Sequence, residues 1–145
     1  MDRSRPLIFD TSVYIAAIRG GARSSCSIEL EEALPRTYLC AVVAAELRAG
    51  AVDPVARRAV ERFTLAARAV RRTVVPGANT WERAGEVVSR IHRAQPELRS
   101  KLRTLWNDLL IALSAREIGA RLVTRDAADF ELLRRYTSFE LNTRE

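Results

Sequence analysis

The sequence predicts an open α/β fold, a parallel sheet of about four or five short strands with helices on both faces. Two observations carry this expectation. The short apolar runs "PLIF", "TYLCAV" and "ARLVT" are unbroken rather than alternating, as strands covered on both faces require. The longer segments between them carry apolar residues three and four apart, the helical period. With 145 residues, 48% hydrophobic and 29% charged, the chain suits one domain with a core large enough to do without disulfides. No repeat, low-complexity tract or long linker interrupts it.

In chain order, "PLIF" is a short buried strand, and "TSVYIAAIRGG" is a helix that starts at Thr11 or Ser12 and stops at the glycine pair. "SSCSIELEEAL" is a helix and "TYLCAV" a second buried strand. "AAELRAGA" and "PVARRAVERFTLAARAV" are helical; Asp53 caps the latter and Pro54 takes its first position, where a missing N–H costs nothing. "RTVVP" is a short strand, and "NTWERAGEVVSRIHRA" a helix capped by Asn79 or Thr80. A longer helix opens at Pro96 and runs through "LRSKLRTLWNDLLIALSAREIG". "ARLVT" is another strand, "AADFELLRR" a short helix, and "YTSFEL" a terminal strand.

The opening "MDRSRPL" lacks a signal-peptide layout and no apolar run approaches the roughly 20 residues of a membrane span, so a cytoplasmic protein without membrane contact is expected. Cys26 and Cys40 are isolated thiols without C-x-x-C spacing and read as packing residues, not as a zinc site. The formal net charge of +6 is carried almost wholly by arginine, with Lys101 the only lysine. Arginine pairs bidentately with phosphate and carboxylate, so nucleic acid or an acidic protein is the favoured partner, and a merely solvated basic surface is the alternative.

Against this background one charge is out of place. Asp10 interrupts "PLIFDTSVYI", and an unpaired carboxylate inside an apolar strand costs several kcal/mol or more. In open α/β sheets ligands bind beyond the carboxyl ends of the strands, and Asp10 directly follows the first strand. In "RLVTRDAADF" a strand ends at Thr124 and the next turn supplies Asp126 and Asp129 to the same edge. Glu46 and Asp108 interrupt otherwise apolar helices, and Asp108 shares a stripe with Leu105, Ile111 and Ala112, which sets its carboxylate at least partly inside. Each acid has a structural alternative. Asp10 could cap the following helix, Asp126 and Asp129 could form a capping-box-like pair, Glu46 could be a surface residue beside Arg48, and Asp108 could pair with a buried arginine. One shared cause explains all five together: gathered carboxylates repel, and a hard cation with oxygen ligands, magnesium or manganese, relieves them.

"FDTSVYI", "VVAAELRAG" and "WNDLLIALSAREIGARLVTRDAADF" together resemble the PIN-domain ribonucleases, specifically the VapC-type toxins of bacterial type II toxin–antitoxin pairs. The resemblance spans nearly all of residues 1–145, read as a single PIN domain, and is weakest over about 51–95. It implies that Asp10, Glu46 and Asp108 are catalytic acids, that Asp10 and Asp108 hold the metal most directly, and that the fourth acid is Asp126 or Asp129. Thr11, Ser12 and Thr124 fall at hydroxyl positions that line the family's site. It further implies a Mg2+- or Mn2+-dependent endoribonuclease in which metal-activated water opens a phosphodiester, a homodimer, and a small antitoxin that neutralises it. The arginines would then track the RNA backbone, with salt-sensitive binding.

Other readings fare worse. A haloacid-dehalogenase-like phosphatase needs an acid two residues after the first, where Ser12 stands, and a receiver domain needs a lysine after a late strand, which "ARLVTRD" does not provide. A non-catalytic PIN-like module that binds RNA or a partner is the alternative from another class, and it leaves four filled acid positions without a purpose. His92, in "SRIHRAQ", reads as a surface helix residue.

Overall fold

Leu7, Ile8 and Phe9 are all buried, so the first strand is covered on both faces and must lie at the centre of a layered structure. The computed structural model describes residues 4–144. The elements are β1 (Leu7–Phe9), α1 (Thr11–Gly20), α2 (Ser25–Ala33), β2 (Thr37–Cys40), α3 (Ala41–Gly50), α4 (Pro54–Ala69), β3 (Thr73–Val74), α5 (Ala78–Ala94), α6 (Leu102–Glu117), β4 (Arg121–Thr124), α7 (Ala128–Arg134) and β5 (Leu141–Thr143). Short 3-10 turns occupy Leu34–Arg36 and Pro96–Lys101.

The sheet has 5 strands in the order β3-β2-β1-β4-β5, and every pairing is parallel. Ile8 is in register with Tyr38 on one side and Leu122 on the other. Strand order therefore reverses between β1 and β4, which opens the ligand crevice expected of such sheets at the carboxyl ends of these two strands. The core that fixes this edge is apolar and continuous: Ile8, Phe9, Val13, Leu105, Leu109, Ile111, Leu122, Val123 and Leu133 are essentially inaccessible. At the end of α1 the chain reverses through Gly21 at φ +77, a backbone conformation that a side chain disfavours, and a Cβ on Gly20 would come 2.6 Å from that of Ser24.

Several expected boundaries move for identifiable reasons. The second strand stops at Cys40 rather than Val42, because Val43 and Leu47 bury as one face of α3. The segment expected to open a helix at Pro96 is a 3-10 turn through Lys101, and the α-helix begins at Leu102; Leu98 is the one apolar residue of "PELRSK", so no apolar stripe supports a full α turn. Neither Asn79 nor Thr80 caps α5, whose cap position is Gly77; the Thr80 hydroxyl donates instead to Glu117 Oε2 at 2.8 Å. The terminal strand, Leu141–Thr143, begins only at the last residue of the expected "YTSFEL", because Phe139 turns inward to meet Phe130 edge-on. The N-terminal stretch read for a signal peptide begins outside the described residues. Among those described, no helix is long and apolar enough to cross a membrane.

Since β1 delivers the first acid to the crevice, its packing is a precondition of the site. Ile8→Ala should cost about 2–5 kcal/mol in a denaturant melt, as a fully buried large-to-small change does. Val55→Ala, at a position 65% exposed, should stay within about 0.5 kcal/mol.

Candidate active site

Asp10 follows β1 and sits at the cap position of α1 with extended backbone, yet its side chain makes no capping bond. The carboxylate is used elsewhere. Its Oδ2 accepts hydrogen bonds from the Ser12 and Thr124 hydroxyls, both at 2.9 Å, and the second spans the crevice from β1 to β4. The hydroxyl lone pairs are filled in turn by backbone donors: Arg125 N–H reaches Ser12 Oγ at 3.0 Å, and Asp126 N–H reaches Thr124 Oγ1 at 3.0 Å. Asp10 is thus held by neutral donors in a buried place.

Glu46, on α3, is drawn to the same edge by Thr11, whose hydroxyl donates to Glu46 Oε1 at 2.8 Å. Burial pushes the Glu46 carboxyl above its ordinary pKa, hydrogen bonds from Thr11 and Asn107 pull it down, and the charge of Asp10 raises it again. Asp108, on α6, is pushed up to about 8, first by burial and then by the charges of Asp10, Asp129, Glu46 and Asp126. All five acids singled out in the sequence therefore act on one another across one site. They do not close into a shell: among the described residues no three acidic, histidine or cysteine side chains group tightly enough to hold one ion unaided.

Neither expected alternative for the helical acids survives. No ion pair forms at Asp108 among the described residues, and Arg48 turns from Glu46 to Glu61 at 3.2 Å. The capping-box reading of Asp126 and Asp129 also fails, because α7 starts at Ala128 with Ala127 in the cap position and no side-chain cap. Asp126 is exposed, whereas Asp129 lies in the first turn of α7, partly buried.

Two members of the site went unread in the sequence. Asn107 supports Glu46, and its adjacency to Asp108 in "WND" was the available signal. Lys101 is the other: its ammonium lies 2.6 Å from Asp129 Oδ1, with Asp126 and Asp108 within electrostatic reach. Its being the only lysine was visible, but its place at the acids was not, because it depends on how the 3-10 turn meets α6. An apolar groove of about 270 Å³ lies elsewhere, lined by Tyr14, Ala17, Leu30, Leu34, Phe63 and Val70 among others and by none of the five acids.

The Asp108 shift fixes the sign of a pH effect. A carboxyl whose pKa is higher in the folded than in the unfolded chain binds more protons when folded, so stability is lost as pH rises through the interval between the two values. Here that interval runs from 3.8 to about 8. Metal-free protein should melt progressively lower across this range, and Asp108→Asn should flatten the slope and raise the melting temperature at its alkaline end. In a domain of this size each kcal/mol relieved corresponds to about 2–8 °C. Thermal melts of both proteins with chelator across pH 4 to 8, in roughly unit steps, check it.

With this geometry in view, comparison with known proteins is informative. The family model of the PIN domain matches residues 7–136. Ribonuclease VapC11 of Mycobacterium tuberculosis is 29% identical over 138 residues, covering 92% of this chain and 96% of that protein. The fold is shared with a chain from DNA-bound VapBC of Salmonella typhimurium, with a TM-score of 0.69, 18% identity, and 96% of this chain and 98% of that one covered. It is shared also with a chain from VapBC2 of Rickettsia felis bound to a DNA fragment from their promoter, with a TM-score of 0.61, 21% identity and the same 96% and 98% coverage. A family match over residues 7–136, nearly the whole described sequence, means that this chain belongs to the PIN domain family.

Proposed function

We propose that this chain is a divalent-metal-dependent endoribonuclease toxin of the cytoplasm that hydrolyses RNA phosphodiester bonds, works as a homodimer, and is restrained by a small cognate antitoxin. The observation that carries the reading is the gathering of five carboxylates at the switch point, with Asp108 raised to about 8 and, among the described residues, no basic side chain in an ion pair with it. The donor set is all oxygen, which fits Mg2+ or Mn2+ rather than zinc. The looseness of the cluster fits as well, since Mg2+ is usually held by one or two carboxylates and keeps several waters. Asp10 and Asp108 would hold the ion, Glu46 and Asp129 would act beside it, and exposed Asp126 would stand at the rim. When bound, the ion supplies Lewis-acid stabilisation of charge on an attacked phosphate and acidifies water.

The protein's own residues set up this chemistry. Ser12 and Thr124 fix Asp10 through Oδ2 and leave Oδ1 without a hydrogen-bond partner among the described residues. Thr11 does the equivalent for Glu46. Asp108, pushed up to about 8 by burial and by its acidic neighbours, is the acid that a cation would relieve most. The net charge of +6 attracts the polyanionic substrate. The name of the mycobacterial relative, a ribonuclease, supports the activity, and the VapBC neighbours support a protein partner. An apolar groove away from the acids is surface of the kind that protein partners cover.

Purified protein should cut RNA at unstacked, single-stranded sites in magnesium or manganese and stop with chelator. Asp10→Asn and Asp108→Asn should each lower the rate by more than about a hundredfold, and Thr124→Val, which removes only a support, by about 10- to 100-fold. Cleavage undiminished in both carboxylate variants would overturn the reading and favour a non-catalytic RNA- or partner-binding module. Co-expression with a small protein encoded next to it should give a co-purifying complex with suppressed cleavage.

A further inference from the structure

The cleft carries one feature that the carboxylates alone do not explain, a resident ammonium. We propose that Lys101 is a displaceable counter-cation: its ammonium holds Asp129 in the substrate-free protein, yields that carboxylate when a divalent ion binds, and then meets a phosphate of the incoming RNA. The inference rests on the ribonuclease reading and adds to it a residue that contacts substrate.

Position comes first. Lys101 closes the 3-10 turn that runs into α6, and Asp126 and Asp108 lie within electrostatic reach of its ammonium. Lys101 meets Asp129 at 2.6 Å, so α6 and α7 are bridged at the mouth of the cleft. Exposure comes next. The Lys101 side chain is 45% exposed and that of Asp129 22%, and a pair so open to water is held weakly and exchanges partners readily.

The residue type is the third observation. Every other side chain in the chain that is always cationic at neutral pH is arginine, and the single lysine stands at the acids. A guanidinium would clamp Asp129 through a planar two-bond fork, whereas an ammonium is a compact charge with rotatable donors on a flexible four-carbon stem. Lysine is therefore the cation suited to letting go. The neighbouring candidate is committed elsewhere: the Arg125 guanidinium donates to Cys26 Sγ at 2.9 Å, towards α2.

The acids outnumber the one ammonium, so the cleft is anionic and repels phosphate. A divalent ion removes part of that charge and competes with the ammonium for Asp129. The ammonium, once freed, is a positive group at the rim where the RNA backbone arrives.

Lys101→Gln and Lys101→Arg test this in two measurements that do not depend on turnover. The first is Mn2+ affinity, read by electron paramagnetic resonance. The second is affinity for a labelled single-stranded oligouridine, read by fluorescence anisotropy in calcium across a salt series. Lys101→Gln should bind Mn2+ more tightly, by up to about fivefold, since a competing cation is gone. It should also bind RNA more weakly, with a salt slope shallower by about 0.7, the loss of one single-strand phosphate contact. Lys101→Arg should keep the RNA slope and gain no Mn2+ affinity. A lysine that only ties α6 to α7 would weaken both ligands when replaced, so opposite signs are the signature. Unchanged or weaker Mn2+ binding in Lys101→Gln, or an unchanged salt slope, overturns the inference while the ribonuclease reading stands. Wild-type protein that binds neither Mn2+ nor RNA defeats both.

Discussion

Like-charge repulsion at one edge of a parallel sheet is the constraint around which this molecule is organised. Asp10 comes from the junction of β1 and α1, Glu46 from α3, Asp108 from α6, Asp126 from the loop before α7 and Asp129 from α7, and the other four each raise the cost of ionising Asp108. No local sequence preference would assemble them. The assembly is imposed by apolar packing: β1 and β4 are paired at the centre of the sheet, and α6 is buried along Leu105, Leu109, Ile111 and Ala112. The carboxylates ride on these elements at positions where the backbone cannot yield without breaking the core. Burial then adds to the repulsion, because a desolvated carboxylate gains less from water than an exposed one.

The hydroxyls show how such a cluster is kept in order without being neutralised. Thr11, Ser12 and Thr124 each have one proton to give, and each gives it to an acid of the site. A neutral donor orients a carboxylate and favours its charged form but leaves the charge in place. An arginine at any of these positions would orient equally well and would also satisfy the acid permanently. Among the described residues, the one cation paired with an acid of the site is therefore the lysine at its rim. Backbone N–H groups of Arg125 and Asp126 complete the network, so the turn after β4 is fastened to the start of α1 and the crevice keeps its width.

How much of this could be read in the sequence follows from what each signal depends on. The parallel sheet was legible because buried strands carry unbroken apolar runs, and the five acids because each interrupts such a pattern. Cap assignments were less legible. Asp10 and Asp126 have the residue type of a cap, but tertiary donors compete for the Asp10 carboxylate, and α7 starts beyond Asp126 altogether. Val42 looked like strand because β-branched residues favour it, yet the helical spacing of Val43 and Leu47 governed. Lys101 and Asn107 were illegible in their roles for a different reason. Both act through contacts with distant carboxylates, and a single sequence without its fold does not say which of two dozen basic side chains meets an acid.

The overall charge and the local charge of this protein have opposite signs, and under the proposed function this opposition imposes an order of events. A net charge of +6 draws RNA in from beyond a Debye length, roughly 8–10 Å at ordinary ionic strength, because at that range the substrate senses the sum of charges. Within a few Å it senses the cleft, which is anionic. Arginines without protein partners among the described residues, such as Arg57 and Arg58 beside Arg48 at the start of α4, can hold the backbone while leaving the acids uncovered. On that reading a phosphate would come to rest against Asp10 and Asp108 only with cations between them. Binding of substrate is thus separable from its placement, and attraction to nucleic acid does not by itself commit the bond to cleavage.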